Sequence, residues 1–241
     1  MRYQFVDCRF ELGAPERGRE LYLGGHIPGA SFLDVDADLS ATPGPRGRHP
    51  LPGGGEFAEA ASRAGIGEGV FVVAYDQGMT GGAARLWWLL RHFGHEQVAV
   101  LDGGIGAWRG ALSEGDEEVG GASFEPRERQ GDTIEADEIA ERLGDGHLLL
   151  LDARSEERYR GAPGIDAVGG RIPGATNLPF TEASSIPADV LAAEDIVVYC
   201  GSGITACVDL LALEHAGRGD AKLYPGSWSE WIQLDLPIER D

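Results

Sequence analysis

The residues best suited to chemistry are Cys200-Gly201-Ser202-Gly203-Ile204-Thr205. They follow Asp195-Ile196-Val197-Val198-Tyr199, a short β-branched apolar run that reads as a buried strand ending at Tyr199. A helix is predicted to begin near Thr205. Gly201 and Gly203 let the loop between them turn tightly. Such a loop aims successive N–H groups inward as an anion-binding nest beside the positive end of the helix. A cysteine at its mouth is favoured as the thiolate, which is the nucleophile and the form that can hold a sulfane sulfur. The same N–H groups would stabilise a persulfide anion. A cysteine after a strand is otherwise a small apolar packing residue, and the glycine-rich strand–loop–helix setting argues against that here. Cys207, inside the helix, and Cys8, after an edge-like strand, read as packing residues.

The elements that position this loop occur twice. Phe5-Val6-Asp7-Cys8-Arg9 matches Leu150-Leu151-Asp152-Ala153-Arg154, and Gly25-His26-Ile27-Pro28-Gly29-Ala30 matches Gly170-Arg171-Ile172-Pro173-Gly174-Ala175 at the same offset. At a shorter offset, Phe71–Asp76 matches Asp195–Cys200. Asp76 therefore stands where Cys200 stands, and a carboxylate cannot form a persulfide, so the first half is expected to be silent. Leu86, Leu89, Leu90 and Phe93 form a helical stripe closed by Gly94, and Val208, Leu211 and Ala212 form its counterpart closed by Gly217. Strands alternating with helices imply parallel α/β domains. The acidic, glycine-rich stretch 113–131 lacks periodicity and reads as a linker between domains at 1–112 and 132–241.

Composition excludes several classes. With 40 acids against 20 bases the formal charge is −20, which repels nucleic acid and anionic membranes. An anionic substrate would need local positive charge. The three cysteines show no CxxC and no metal-like spacing with histidine, and so few of them read as a reducing compartment; sulfur carried on a cysteine requires no metal or organic cofactor. The first residues lack an apolar signal region, and no run approaches a membrane span, so the expected location is cytoplasmic. Because duplicated halves can bury each other's apolar faces, a monomer is expected.

Taken together, the two Gly-(His/Arg)-Ile-Pro-Gly-Ala segments, Asp76 in place of cysteine, Arg85-Leu86-Trp87-Trp88, Gly226-Ser227-Trp228-Ser229-Glu230-Trp231 and the Cys200 loop make the chain resemble the tandem rhodaneses, the thiosulfate and 3-mercaptopyruvate sulfurtransferases. The resemblance covers nearly the whole chain. It implies an α/β fold of two rhodanese domains, each a five-stranded parallel sheet flanked by helices, with the active site at the domain interface. The mercaptopyruvate branch resembles Cys-Gly-Ser-Gly-Val-Thr at this loop, and here Ile204 replaces Val. The thiosulfate branch usually carries basic residues after the cysteine, and this loop has none. The resemblance assigns proton handling to Ser202 with His49 and Asp36. It assigns donor binding to Arg158 and to the loop residues Gly201, Gly203, Ile204 and Thr205.

Two departures concern the donor. The second arginine expected before the second Ile-Pro-Gly turn is missing from Ala162–Val168, and Arg171 replaces the usual histidine of that turn. Arg171 is the sequence's candidate for restoring the missing charge. The implied reaction takes sulfur from 3-mercaptopyruvate onto Cys200 and passes it to a thiol, cyanide or a thioredoxin-like acceptor. Thiosulfate remains an alternative donor, and a non-catalytic persulfide carrier or protein-binding module an alternative of another class. A phosphatase is excluded, since rhodanese-like phosphatases end a longer loop with an arginine where Ala206 stands.

Overall fold

The computed structural model describes residues 2–162 and 164–241. The chain divides into two compact units: Met1–Ala41 with Leu51–Arg129, and Thr42–Pro50 with Gln130–Asp241. The first holds β1 (Arg2–Asp7), α1 (Arg17–Gly24), β2 (Ser31–Phe32), α2 (Gly54–Arg63), β3 (Val70–Tyr75), α3 (Gly82–His92), β4 (Val98–Val100) and α4 (Gly104–Ala107). The second holds α5 (Ala136–Glu141), β5 (Leu148–Asp152), α6 (Glu156–Tyr159), β6 (Thr176–Asn177), α7 (Ala188–Leu191), β7 (Asp195–Tyr199), α8 (Ala206–His215), β8 (Lys222–Leu223) and α9 (Ser227–Trp231).

Each unit is built on a parallel sheet, ordered β2-β1-β3-β4 in the first and β6-β5-β7-β8 in the second. The matching order follows from the duplicated sequence. The expected five strands are corrected to four in each sheet among the described residues. In the second unit the next position beside β8 is reduced to one parallel bridge, Thr133 with Leu223. Cys8 is corrected too. It follows β1, which lies between β2 and β3 rather than at an edge. It is fully buried, and burial pushes its thiol well above the ordinary range.

The repeated motifs fold alike. Ile27-Pro28-Gly29-Ala30 and Ile172-Pro173-Gly174-Ala175 are turns in which Ala30 N–H donates to Ile27 O at 2.9 Å and Ala175 N–H to Ile172 O at 3.1 Å. Gly29 and Gly174 take left-handed angles (φ 76° and 78°), which a type II turn with proline at its second position requires. Asp152 is clasped by Arg154 through Nε and Nη2, as Asp7 is by Arg9. These buried pairs brace the carboxyl ends of β5 and β1. Ligand sites in open parallel sheets form beyond the carboxyl ends of their strands, which directs attention to the loop after β7.

The acidic stretch from Ser113 runs with the first unit. Ser113 exchanges two backbone hydrogen bonds with His26 at 2.9 Å, and Arg127 N–H donates to Phe93 O at 2.9 Å. The segment Thr42–Pro50, although it lies in the first half of the chain, packs in the second unit. Among the described residues no helix is long and apolar enough to cross a membrane.

Candidate active site

The loop after β7 is held from two sides. Cys200 is 2% exposed, and Gly203 N–H donates to its Sγ at 3.1 Å. That contact requires Gly203 to be left-handed (φ 81°), a conformation costly for any residue with a Cβ. From the other side, Cys200 N–H donates to Ser227 Oγ at 3.1 Å. The first amides of α9 reach the loop's carbonyls: Trp228 N–H donates to Cys200 O at 3.0 Å and Ser229 N–H to Gly201 O at 2.9 Å. Ser227 itself is left-handed (φ 52°), and its hydroxyl donates to Tyr224 O at 2.9 Å. The Gly226–Trp231 motif is thus the loop's mount. Cys207 packs behind it, buried, with its thiol toward Gly203 O at 3.4 Å.

The corresponding loop of the first unit, after β3, is closed around a carboxylate. There the Asp76 carboxylate accepts N–H groups from Gly78 at 2.8 Å, Thr80 and Gly81 at 3.1 Å and Ala83 at 3.3 Å. An anion built into the chain fills the nest. In the second unit the corresponding position carries sulfur, and the amide that donates to it is that of Gly203.

Ser202 and His49, far apart in the chain, meet. His49 Nδ1 lies 2.6 Å from Ser202 Oγ, a hydrogen bond, and the residues are 5% and 6% exposed. The segment Thr42–Pro50 makes this possible. Arg48 N–H donates to Ser229 Oγ at 3.0 Å, and Gly47 (φ 99°) runs so close to Gly226 that a Cβ there would lie 2.8 Å from its carbonyl oxygen. Asp36 lies in the first unit and is exposed, on a turn whose Asp34 carboxylate accepts the N–H groups of Asp36 and Ala37 at 2.8 Å.

Gly201, unlike Gly203, needs space rather than a special backbone angle. A Cβ on it would lie 2.8 Å from Arg158 Nη2 and 3.2 Å from Arg48 Nη2. Two guanidiniums therefore crowd the residue next to Cys200. Arg158 was foreseen. Arg48 was not, and its only sequence signal is its place beside His49. Arg171 does not restore the missing charge: its guanidinium is engaged by Glu239 and by Asp241, at 2.8 Å for the latter, and stacks over Tyr159 at 4.5 Å. Arg160 pairs with Glu156 at 2.6 Å. Ile204 and Thr205 are in the loop, leading into α8.

One buried acid near the site has no evident chemical task. Asp209 on α8 is fully buried, and neither carboxylate oxygen has a hydrogen-bond partner among the described residues. Burial first, then the neighbouring Cys200 and Asp152, pushes its carboxyl well above the usual range. A carboxyl with a raised folded pKa contributes full stability below its unfolded value of about 3.9 and loses it as pH rises toward the folded value. Asp209→Asn is accordingly expected to raise stability by about 1–3 kcal/mol at pH 8 and by less at pH 5. Thermal melts at the two pH values check this, and an equal gain at both would contradict it. Among the described residues, no cluster of three His, Cys, Asp or Glu is placed to hold a metal ion.

Comparison with known proteins agrees with this geometry. The rhodanese-like domain model matches residues 1–111 and 135–234. A probable 3-mercaptopyruvate sulfurtransferase of Pseudomonas aeruginosa is 40% identical, covering 94% of this chain and 88% of its own. A putative thiosulfate sulfurtransferase of Mycobacterium tuberculosis is also 40% identical, covering 94% and 86%. The crystal structure of SseA from Escherichia coli, a 3-mercaptopyruvate sulfotransferase with the rhodanese fold, superposes with a TM-score of 0.81 at 34% identity, covering 95% of this chain and 93% of that one. With both halves matched and relatives of this similarity along nearly its full length, the chain belongs to the rhodanese family.

Proposed function

We propose that the protein is a sulfurtransferase that carries sulfur as a persulfide on Cys200, with 3-mercaptopyruvate as the favoured donor. The observation that carries this reading is the Cys200 thiol at the Gly203 amide beside the hydrogen-bonded Ser202–His49 pair. The thiolate attacks the donor sulfur and a Cys200 S–S bond forms. The donor C–S bond breaks, its electron pair passes to the pyruvate enolate, and the proton from the donor S–H ends on the enolate carbon. Ser202 and His49 are placed to move that proton. The amides of the loop hold the persulfide anion. Cyanide or a thiol then takes the outer sulfur and returns the Cys200 thiolate. Asp36 is carried over from the family pattern as the carboxylate acting with His49.

Thiosulfate is the second reading, favoured by the putative thiosulfate sulfurtransferase among the relatives. Steady-state transfer to cyanide with both donors in parallel decides between them. A higher kcat/KM for 3-mercaptopyruvate is expected, and a preference for thiosulfate would contradict the donor assignment. A pure carrier or binding module would turn over neither.

A further inference from the structure

The two guanidiniums beside Gly201 are not alone. Arg48 Nη1 donates to Asp166 Oδ1 at 2.6 Å, and Arg158 Nη2 donates to Asp166 Oδ2 at 2.6 Å. One carboxylate thus bridges both cations, in the manner of a bound monocarboxylate. Its side chain is 5% exposed, while those of Arg48 and Arg158 are 25% and 29% exposed. The bridge leaves N–H groups over: Arg48 Nη2 and Arg158 Nη1 lie toward Gly201, and Arg48 Nε is buried with no hydrogen-bond partner among the described residues.

Asp166 rides on an excursion from α6 that is pinched at its neck. Gly161 is left-handed (φ 102°), and a Cβ on Gly169 would lie 2.3 Å from Gly161 O. Trp228 of α9 fixes the returning segment, its Nε1–H donating to Val168 O at 2.9 Å. The element that mounts the Cys200 loop therefore also mounts the loop that carries Asp166.

The charge balance is simple. Two guanidiniums with one bridging carboxylate carry one net positive charge, which suits a donor with one negative charge. Without the carboxylate they would carry two, which suits a dianion. We propose that Asp166 is a specificity-determining residue: by occupying the Arg48–Arg158 pair beside Cys200 it sets the site for monoanionic sulfur donors over dianionic ones. This rests on the sulfurtransferase reading but can fail separately from it.

The test uses Asp166→Asn in the full chain with two readouts. The first is the ratio of kcat/KM for thiosulfate to that for 3-mercaptopyruvate, which is expected to rise about tenfold for loss of one charge at a part-exposed site. The second needs no turnover. Cys200 is alkylated by iodoacetate, an anion, and by iodoacetamide, which is neutral. The iodoacetate-to-iodoacetamide rate ratio is expected to rise in Asp166→Asn and to fall in Arg48→Gln. The iodoacetamide rate reports that the loop is intact in each variant. If neither donor is turned over, the sulfurtransferase reading fails while the alkylation ratio still tests the charge assignment. A ratio that stays level or falls in Asp166→Asn overturns the proposal, because Asp166 would then only position the two guanidiniums.

Discussion

Cys200→Ser is expected to lower kcat/KM by about 10³-fold or more with either donor, because it removes the atom that bonds the transferred sulfur. The change is nearly isosteric. The mount from Ser227, Trp228 and Ser229 uses the backbone of Cys200 and Gly201, which the substitution leaves in place. A folded but inactive variant is therefore expected, with unchanged circular dichroism and thermal midpoint within a few degrees. Steady-state assays with 3-mercaptopyruvate and with thiosulfate check it. Cys207→Ser is the control, since that thiol faces Gly203 O from within α8. Retained turnover in Cys200→Ser would remove the basis for the mechanism.

The second large effect concerns the proton. His49→Gln and Ser202→Ala are each expected to reduce kcat with 3-mercaptopyruvate by about 10²–10⁴-fold, the usual worth of a positioned proton-transfer group. Because the two side chains share one hydrogen bond at 2.6 Å, the double variant should lose little more than either single one. The donors should also separate. Cleavage of thiosulfate releases sulfite and requires no protonation of carbon, so its kcat should fall far less. Additive losses, or equal losses with both donors, would assign the pair a structural rather than a proton-moving role.

Much of this was legible because its signals are local. The Ile-Pro-Gly-Ala turns, the buried run Ile196–Tyr199 and the glycines after Cys200 each specify a conformation through their own residues, and the duplication repeats them. The strand count was less legible because β2, β6 and β8 are two residues long and the position beyond β8 is one bridge. No periodicity distinguishes such pieces from loop. Cys8 was misplaced because strand order depends on crossovers, which β1 does not encode in its own letters. Arg48 escaped notice for a similar reason. Its neighbour His49 signals through a pattern, whereas Arg48 is placed by the contact of Gly47 with Gly226, distant in the chain. The stretch holding Asp166 was read for a base that it lacks. The acid it contains became meaningful only beside two arginines.

The most direct test of the persulfide account is mass spectrometry of the protein after incubation with 3-mercaptopyruvate in the absence of an acceptor. The account predicts one added sulfur atom on the peptide containing Cys200, with a matching amount of pyruvate, and its loss on adding cyanide with formation of an equal amount of thiocyanate. Pyruvate formed with no sulfur on Cys200, or sulfur found instead on Cys8 or Cys207, would contradict it.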